Sequence, residues 1–192
     1  MSKDIVLDDL LNIIEYEKVR DNYRRDTLDY KKIKRASLGP HITITFENVK
    51  TMKFQIQEMM RAERMVHDEQ IQEEIDIYNS LLPKPQSLSA TLFIEVTEEA
   101  MIKPVLHQFI GLTYGNTIYI QVGHHKVYAI FEEGREEEDR ISSVHYVQFP
   151  FAAEALEAFK SAPDAVLGID YKDYTYREVL SEEMLASLQS DI

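Results

Sequence analysis

The longest helical pattern in the chain, residues 51–82, carries polar groups on its apolar face. Stepping 100° per residue from Met52 places the apolar side chains of this stretch on one broad face. An amphipathic helix normally keeps charges on the opposite face, because a buried carboxylate without a partner is costly. A single continuous helix would therefore bury four polar residues near the middle of its apolar face: Glu63, His67, Gln70 and Glu74.

One interpretation is a polar or metal-binding pocket on this helix. Glu63 and His67 are four residues apart and are therefore neighbours on one helix face. Imidazole together with carboxylate suits zinc, iron or manganese, and at least one further ligand must then come from elsewhere. The predicted binding residues are Glu58, Arg61, Glu63, Arg64 and His67, of which Glu63 and His67 are the candidate metal ligands.

The alternative interpretation is a break near His67, with Asp68 capping a second helix and the charges in solvent. A purely structural ion-pair network is a further alternative. If Glu63 is buried with Arg61 and Arg64, Glu63→Ala should cost about 3–5 kcal/mol of stability. An unchanged unfolding midpoint would instead indicate that Glu63 is exposed.

Length and composition indicate a single soluble domain. A chain of 192 residues fits one domain, 1–192, with a seam at 111–116 between a helix-rich and a strand-rich half. With 44% hydrophobic and 29% charged residues it has an ordinary globular composition. The first nine residues lack the layout of a secretory signal, and no apolar run is long enough to span a membrane. We therefore expect a cytoplasmic protein with no membrane partner.

The chain contains no cysteine, which excludes thiolate nucleophiles, Cys-ligated zinc and Cys-bound iron–sulfur clusters. Its net charge of −13 argues against unaided nucleic-acid binding, which depends on phosphate neutralisation by Lys and Arg. It favours solubility, or docking to a basic partner. The charge is uneven, however. Residues 17–40 hold eight basic and four acidic residues (+4), whereas residues 41–192 hold 12 basic and 26 acidic residues (−14).

The basic segment lies in a predicted helix, residues 7–35, in which aromatic and basic residues alternate. Tyr23-Arg24-Arg25 and Tyr30-Lys31-Lys32 are the two runs. Such an arrangement could bind an anion or an acidic partner. The alternative is a solvated helix face stabilised by i,i+4 ion pairs of about 0.2–0.5 kcal/mol each.

The remaining pattern predicts an α+β fold: N-terminal helices, including one long central helix, packed on a mostly antiparallel sheet with a C-terminal meander. Asn48 and Ser181 are the predicted caps of helices. Gly39-Pro40 is expected to end the first helix. Strands are predicted at 41–47, 88–96, 117–122, 126–132 and 142–149, with an edge strand at 165–171, and further helices at 97–111, 152–160 and 182–188.

Residues 15–112 resemble a bacterial family catalogued as a domain of unknown function, family 3501. The resemblance is carried by Gly39-Pro40, Phe46-Glu47-Asn48, Gln57-Glu58-Met59, Tyr78-Asn79 and the run 88–92. The family has no assigned activity, so the resemblance implies no catalytic residue and no cofactor. Its members are often encoded beside rubrerythrin-like and iron–sulfur proteins, which implies an accessory role near redox or peroxide metabolism.

The chain lacks a Gly-rich phosphate loop, a Gly-x-Ser-x-Gly elbow and a His-Glu-x-x-His motif. We therefore expect a cytoplasmic accessory or interaction protein that binds a protein partner, such as a redox or iron–sulfur protein, or a second copy of itself. The alternative is a metal-binding protein or enzyme centred on Glu63 and His67. A third hypothesis is a small-molecule sensor that uses the meander as a cup.

Overall fold

Two antiparallel sheets face each other across a shared hydrophobic cluster. A computed structural model describes residues 4–192; the first three residues, part of the segment considered as a secretory signal, lie outside the described residues. In chain order the strands are β1 Arg35–Leu38, β2 Ile42–Glu47, β3 Ser87–Ile94, β4 Ile118–Val122, β5 His125–Tyr128, β6 Ile130–Phe131, β7 Val144–Pro150, β8 Val166–Tyr171 and β9 Tyr174–Val179. The first sheet has the order β1-β2-β3-β7-β6 and the second β5-β4-β8-β9.

Helices flank these sheets, and within residues 4–192 none has the length and apolar content of a membrane span. Short 3-10 turns precede α1 and α4. The helices are α1 Ile13–Lys32, α2 Val49–Ala62, α3 Asp68–Ser80, α4 Ile102–Gln108, α5 Ala153–Ser161 and α6 Glu182–Asp191. The predicted α+β class and antiparallel pairing are confirmed.

Alternation along β2 and β3 determines which side chains enter the core. Ile42, Ile44 and Phe46 of β2 point between the two sheets, where the apolar residues of β3 join them. The same cluster contains side chains from both sides of the predicted 111–116 seam, including Leu92 and Ile120. A second, smaller cluster lies on the outer face of the first sheet, beneath α2 and α3.

The structure departs from the predicted meander. β4 and β5 form a hairpin, but the chain then crosses at Ala129 to the first sheet, where β7 pairs with β3 and β6. β8 lies between β4 and β9 and is therefore not an edge strand. β1 and β9 were not predicted, and Gly39-Pro40 forms the turn of the β1–β2 hairpin rather than the end of a helix.

Candidate functional site

The predicted site residues lie where one helix ends and the next begins. α2 ends at Ala62, and Glu63 is its C-terminal cap residue. His67 occupies the cap position of α3, and the side chains of Glu63, Arg64 and His67 are exposed. Residues 51–82 thus form two helices, and the predicted inward register of Glu63 and His67 is wrong.

A Schellman motif ends α2 without a glycine. Arg64 adopts a φ of 53°, the left-handed region in which helices commonly terminate. The Arg64 N–H donates to the Arg61 carbonyl (3.4 Å), and the Met65 N–H donates to the Met60 carbonyl (2.9 Å). Met65 then packs against the cluster that contains Met60. The interpretation with a helix break is therefore the correct one, although Asp68 begins α3 rather than capping it.

The other two predicted binding residues contact α1. Glu58 accepts two hydrogen bonds from the Arg20 guanidinium, at 2.8 and 2.7 Å, and one from the Tyr16 hydroxyl at 2.7 Å. These bonds, those from Arg20 foremost, hold the pKa of Glu58 below its ordinary value. Arg61 binds the Glu17 carboxylate at 2.5 Å. Both residues therefore serve as structural contacts between α1 and α2.

Two glutamate substitutions distinguish this arrangement from the predicted one. Glu58→Gln should lower the unfolding midpoint in urea at pH 7, because it weakens the contact with Arg20. Since its folded-state pKa is depressed, the stabilisation by Glu58 is present above the unfolded-state pKa and is lost as pH falls through the folded-state value. The variant should therefore lose less stability than wild type on acidification below about pH 4.5.

Glu63→Ala changes an exposed position, so its free energy of unfolding should stay within about 0.5 kcal/mol of the wild-type value.

No group of three or more His, Asp or Glu side chains within residues 4–192 could hold a metal ion. Glu63 and His67 project from the exposed connection between α2 and α3. Metal binding by this pair therefore stays a prediction without geometric support.

The densest buried polar region lies elsewhere, on the face of the first sheet that the helices cover. Alternation sends the apolar residues of β2 and β3 into the main core and the polar ones to this opposite face. All but one of the helix-facing side chains of these strands are polar and at most 3% exposed: Thr43, Thr45, Glu47, Ser87, Ser89 and Thr91. Alternating apolar and polar residues are typical of a strand with one face in solvent, so the sequence does not predict this buried polar layer.

Glu47 is the charged member of the layer. Its Oε1 atom accepts from the Thr91 hydroxyl (2.9 Å) and lies 3.4 Å from the Lys31 ammonium group. Its Oε2 atom is buried and has no hydrogen-bond partner within the described chain. Burial raises the pKa of nearby Tyr78 to about 12 and also raises that of Tyr146, so both phenols stay protonated near neutral pH. Oε2 can accept one further hydrogen bond from water or a ligand.

A second buried ion pair lies at the adjoining end of the layer. Lys34 is 0% exposed, and its ammonium group donates to Asp191 Oδ2 at 2.5 Å and to the Ser187 carbonyl at 3.3 Å. Asn48 donates to Asp191 Oδ1 (3.0 Å) and to the Tyr30 hydroxyl (2.7 Å), while its own Oδ1 caps α2. This network joins α1, α2 and α6.

An open cavity of about 310 Å³ adjoins the network. Asp191 and Ser87 contribute to its wall, together with Lys84, Asn79 and residues of the 82–86 loop. The charges that the network buries are already neutralised by opposite charges, so the arrangement favours holding the helices in place over nucleophilic chemistry.

Comparison with known proteins identifies the family but supplies no activity. A family model described as "Protein of unknown function (DUF3501)" matches residues 4–192. The chain belongs to this family. The resemblance predicted from the sequence motifs is therefore confirmed, and the DUF3501 match extends well beyond the segment 15–112 that carried it.

A solved structure shares the fold. A protein of Burkholderia pseudomallei K96243, described as a novel protein of unknown function, superposes with a TM-score of 0.91 at 28% sequence identity, covering 99% of this chain and 100% of that one. No curated protein matches the chain. Neither the DUF3501 description nor the similar structure names a substrate or ligand, so a function must be argued from the geometry.

One surface of α1 is largely exposed to solvent. Of its 20 residues only Tyr16 and Thr27 are buried, although the helix is packed along α2. Ile14 and Leu28 are 72% and 38% exposed on the side away from Tyr16. A shallow depression of about 400 Å³ on this helix is lined by Arg20, Asp21, Arg24, Arg25, Leu28, Asp29 and Lys32.

Proposed function

We propose that this protein is a cytoplasmic, non-catalytic accessory protein that binds an acidic surface of a protein partner through α1. The observation that carries the proposal is the exposed face of α1, on which four basic and two acidic side chains surround the apolar side chain of Leu28: Arg20, Arg24, Arg25, Lys32, Asp21 and Asp29. We call the residues Lys18, Arg24, Arg25, Leu28 and Lys32 the α1 face.

The composition of the α1 face suits a protein interface. Interfaces combine an apolar centre with a polar rim and are enriched in arginine, whose guanidinium groups bind carboxylates in two-pronged fashion. Arg24 and Lys18 form no ion pair within residues 4–192. Within the basic segment 17–40, Lys34 is buried against Asp191 and Arg35 pairs with Glu95. The positive charge that an acidic partner could reach is therefore mainly that of the α1 face.

The kind of partner follows from the family resemblance rather than from the geometry. A redox or iron–sulfur protein is the partner that the resemblance implies, and an acidic docking surface on it is what the α1 face adds to this proposal. A second copy of this chain is the other partner considered, and its acidic residues outside 17–40 could supply the complementary charge.

Charge reversal on the α1 face tests the proposal. Arg24→Glu/Arg25→Glu should reduce the partner recovered with the tagged protein by at least about tenfold, because like charges would then face each other across the interface. The matched control is Lys103→Glu/Lys160→Glu, which makes the same charge change at exposed positions of α4 and α5. Sedimentation velocity of both variants distinguishes a dimer from a different partner. Equal recovery with both variants would contradict the proposal.

A further inference from the structure

A cleft opens where the turns of two hairpins meet α4. It consists of two adjoining depressions of about 420 and 510 Å³ that share Gln108. The β8–β9 turn and Phe109 line the first, and the β1–β2 turn and the chain around residues 95–101 line the second. These volumes fall within the range of small-molecule sites, and such sites often lie at the mouths of barrel-like sheets.

Aromatic rings form the floor of the cleft. Phe109 stacks on Tyr171 with ring centres 6.3 Å apart and meets Tyr174 edge-on at 5.0 Å. The ring of His41 lies 6.3 Å from Phe109 and connects the two depressions. Phe109 and Tyr171 are 1% and 7% exposed, so the aromatic surface that a bound molecule can reach is mainly that of the half-buried rings of His41 and Tyr174.

Hydrogen bonds hold these rings in place. The Tyr174 hydroxyl accepts from the backbone N–H groups of His41 (3.0 Å) and Ile42 (3.2 Å) and donates to the Leu38 carbonyl at 2.5 Å. The Tyr171 hydroxyl donates to the Ile110 carbonyl. A ligand would meet a preformed surface, which reduces the entropy lost on binding.

The cleft already stabilises an ammonium group. The Nζ atom of Lys172 lies 4.7 Å from the centre of the Tyr171 ring and donates to the carbonyls of Ile110 (3.0 Å) and Gln108 (3.4 Å). Lys172 is the one Lys or Arg side chain in the described lining. Like Lys172, the rim carboxylates Glu98 and Asp173 form no ion pair within residues 4–192. Two unpaired negative charges in the lining therefore stand against one unpaired positive charge.

We propose that this cleft binds an organic cation with an apolar body, such as a protonated aromatic amine or a quaternary ammonium compound. The half-buried rings of Tyr174 and His41 contact the apolar body, and the Tyr174 ring attracts the cation through its quadrupole. Glu98 and Asp173 supply complementary charge at the rim. The acidic balance of the chain as a whole acts in the same direction.

Benzyltrimethylammonium is the probe, titrated into ¹⁵N-labelled protein and compared with uncharged benzyl alcohol and anionic phenylacetate. The expected result is saturable shifts of the amide signals of residues 41, 98, 109 and 171–174 with the cation, and affinity at least about tenfold weaker for the other two compounds. Glu98→Gln/Asp173→Asn should weaken cation binding about fivefold or more, and added salt should do likewise.

Glu138→Gln/Asp139→Asn is the matched control, since it removes the same charge from an exposed loop and should leave the affinity unchanged. All four positions are exposed, so loss of folding does not obscure the comparison. Phenylacetate binding as tightly as the cation, shifts confined to other surfaces, or equal effects of the two double variants would each overturn the proposal.

Discussion

Asp191→Ala is expected to lower the free energy of unfolding by about 3–5 kcal/mol, because it leaves the ammonium group of Lys34 buried without a counter-ion. Lys34 is 0% exposed, and Asp191 is its acidic partner at 2.5 Å. The Ser187 carbonyl and the Tyr30 ring, 5.5 Å away, remain but carry no full negative charge. The measurement is the urea unfolding midpoint at pH 7, with the slope checked for two-state behaviour.

Two further variants assign the effect to the ion pair. Lys34→Met/Asp191→Leu removes both charges and should recover most of the loss, since a buried pair replaced by apolar groups is often close to neutral in stability. Asp29→Ala breaks an exposed pair with Lys32 and should change stability by at most about 1 kcal/mol. A loss for Asp191→Ala no larger than for Asp29→Ala would show that Lys34 is not desolvated.

Gly168→Ala is expected to destabilise the protein by about 3 kcal/mol through overpacking. Gly168 lies directly opposite Tyr119 in the β4–β8 ladder, and a Cβ atom at this position would lie 2.4 Å from Tyr119 Cζ. The Tyr119 ring cannot move aside easily, because it is 0% exposed, contacts Tyr128 and has the Lys126 ammonium group 3.8 Å from its centre.

Substituting the tyrosine gives the control for this steric explanation. In a Tyr119→Val background the added methyl group has room, so Gly168→Ala should cost less than about 1 kcal/mol there. Circular dichroism thermal melts of the four proteins of this cycle provide the measurement. The same loss in both backgrounds would attribute the effect to the β8 backbone and not to the Tyr119 ring.

Signals that act within a few residues predicted the local structure well. Asn48 caps α2 through a hydrogen bond from the Thr51 N–H, and Ser181 caps α6 in the same way from Met184, as their positions before helical runs indicated. Strands were predicted at 41–47 and 88–96, and the apolar residues that alternate along β2 and β3 do enter the core. Capping and alternation depend on neighbours along the chain, which is why the sequence reveals them.

Features that depend on distant partners were not predictable. β7 follows β5 along the chain, yet it pairs with β3 because the chain crosses between sheets at Ala129. The end of α2 has Arg64 where a glycine would have signalled the left-handed turn. Without a glycine at this position, the apolar periodicity predicts one helix through Glu63 and His67 with a pocket around them, whereas both side chains lie in solvent.

The buried polar network also depends on residues that are far apart along the chain. Lys34 resembled one more member of a basic run, and its partner Asp191 is 157 positions away along the chain. Only the packing of α6 against the end of α1 brings the two charges together. Burial of a lysine is uncommon and was not expected from composition.

Binding of a partner to the α1 face can be detected by site-specific photocrosslinking. A photoreactive amino acid at Leu28, 38% exposed on α1, is compared in living cells with one at Val179, 64% exposed on β9. We expect one discrete crosslinked product from position 28 that disappears in the Arg24→Glu/Arg25→Glu background and is absent from position 179. No product from position 28, or products of equal yield from both positions, would contradict this expectation.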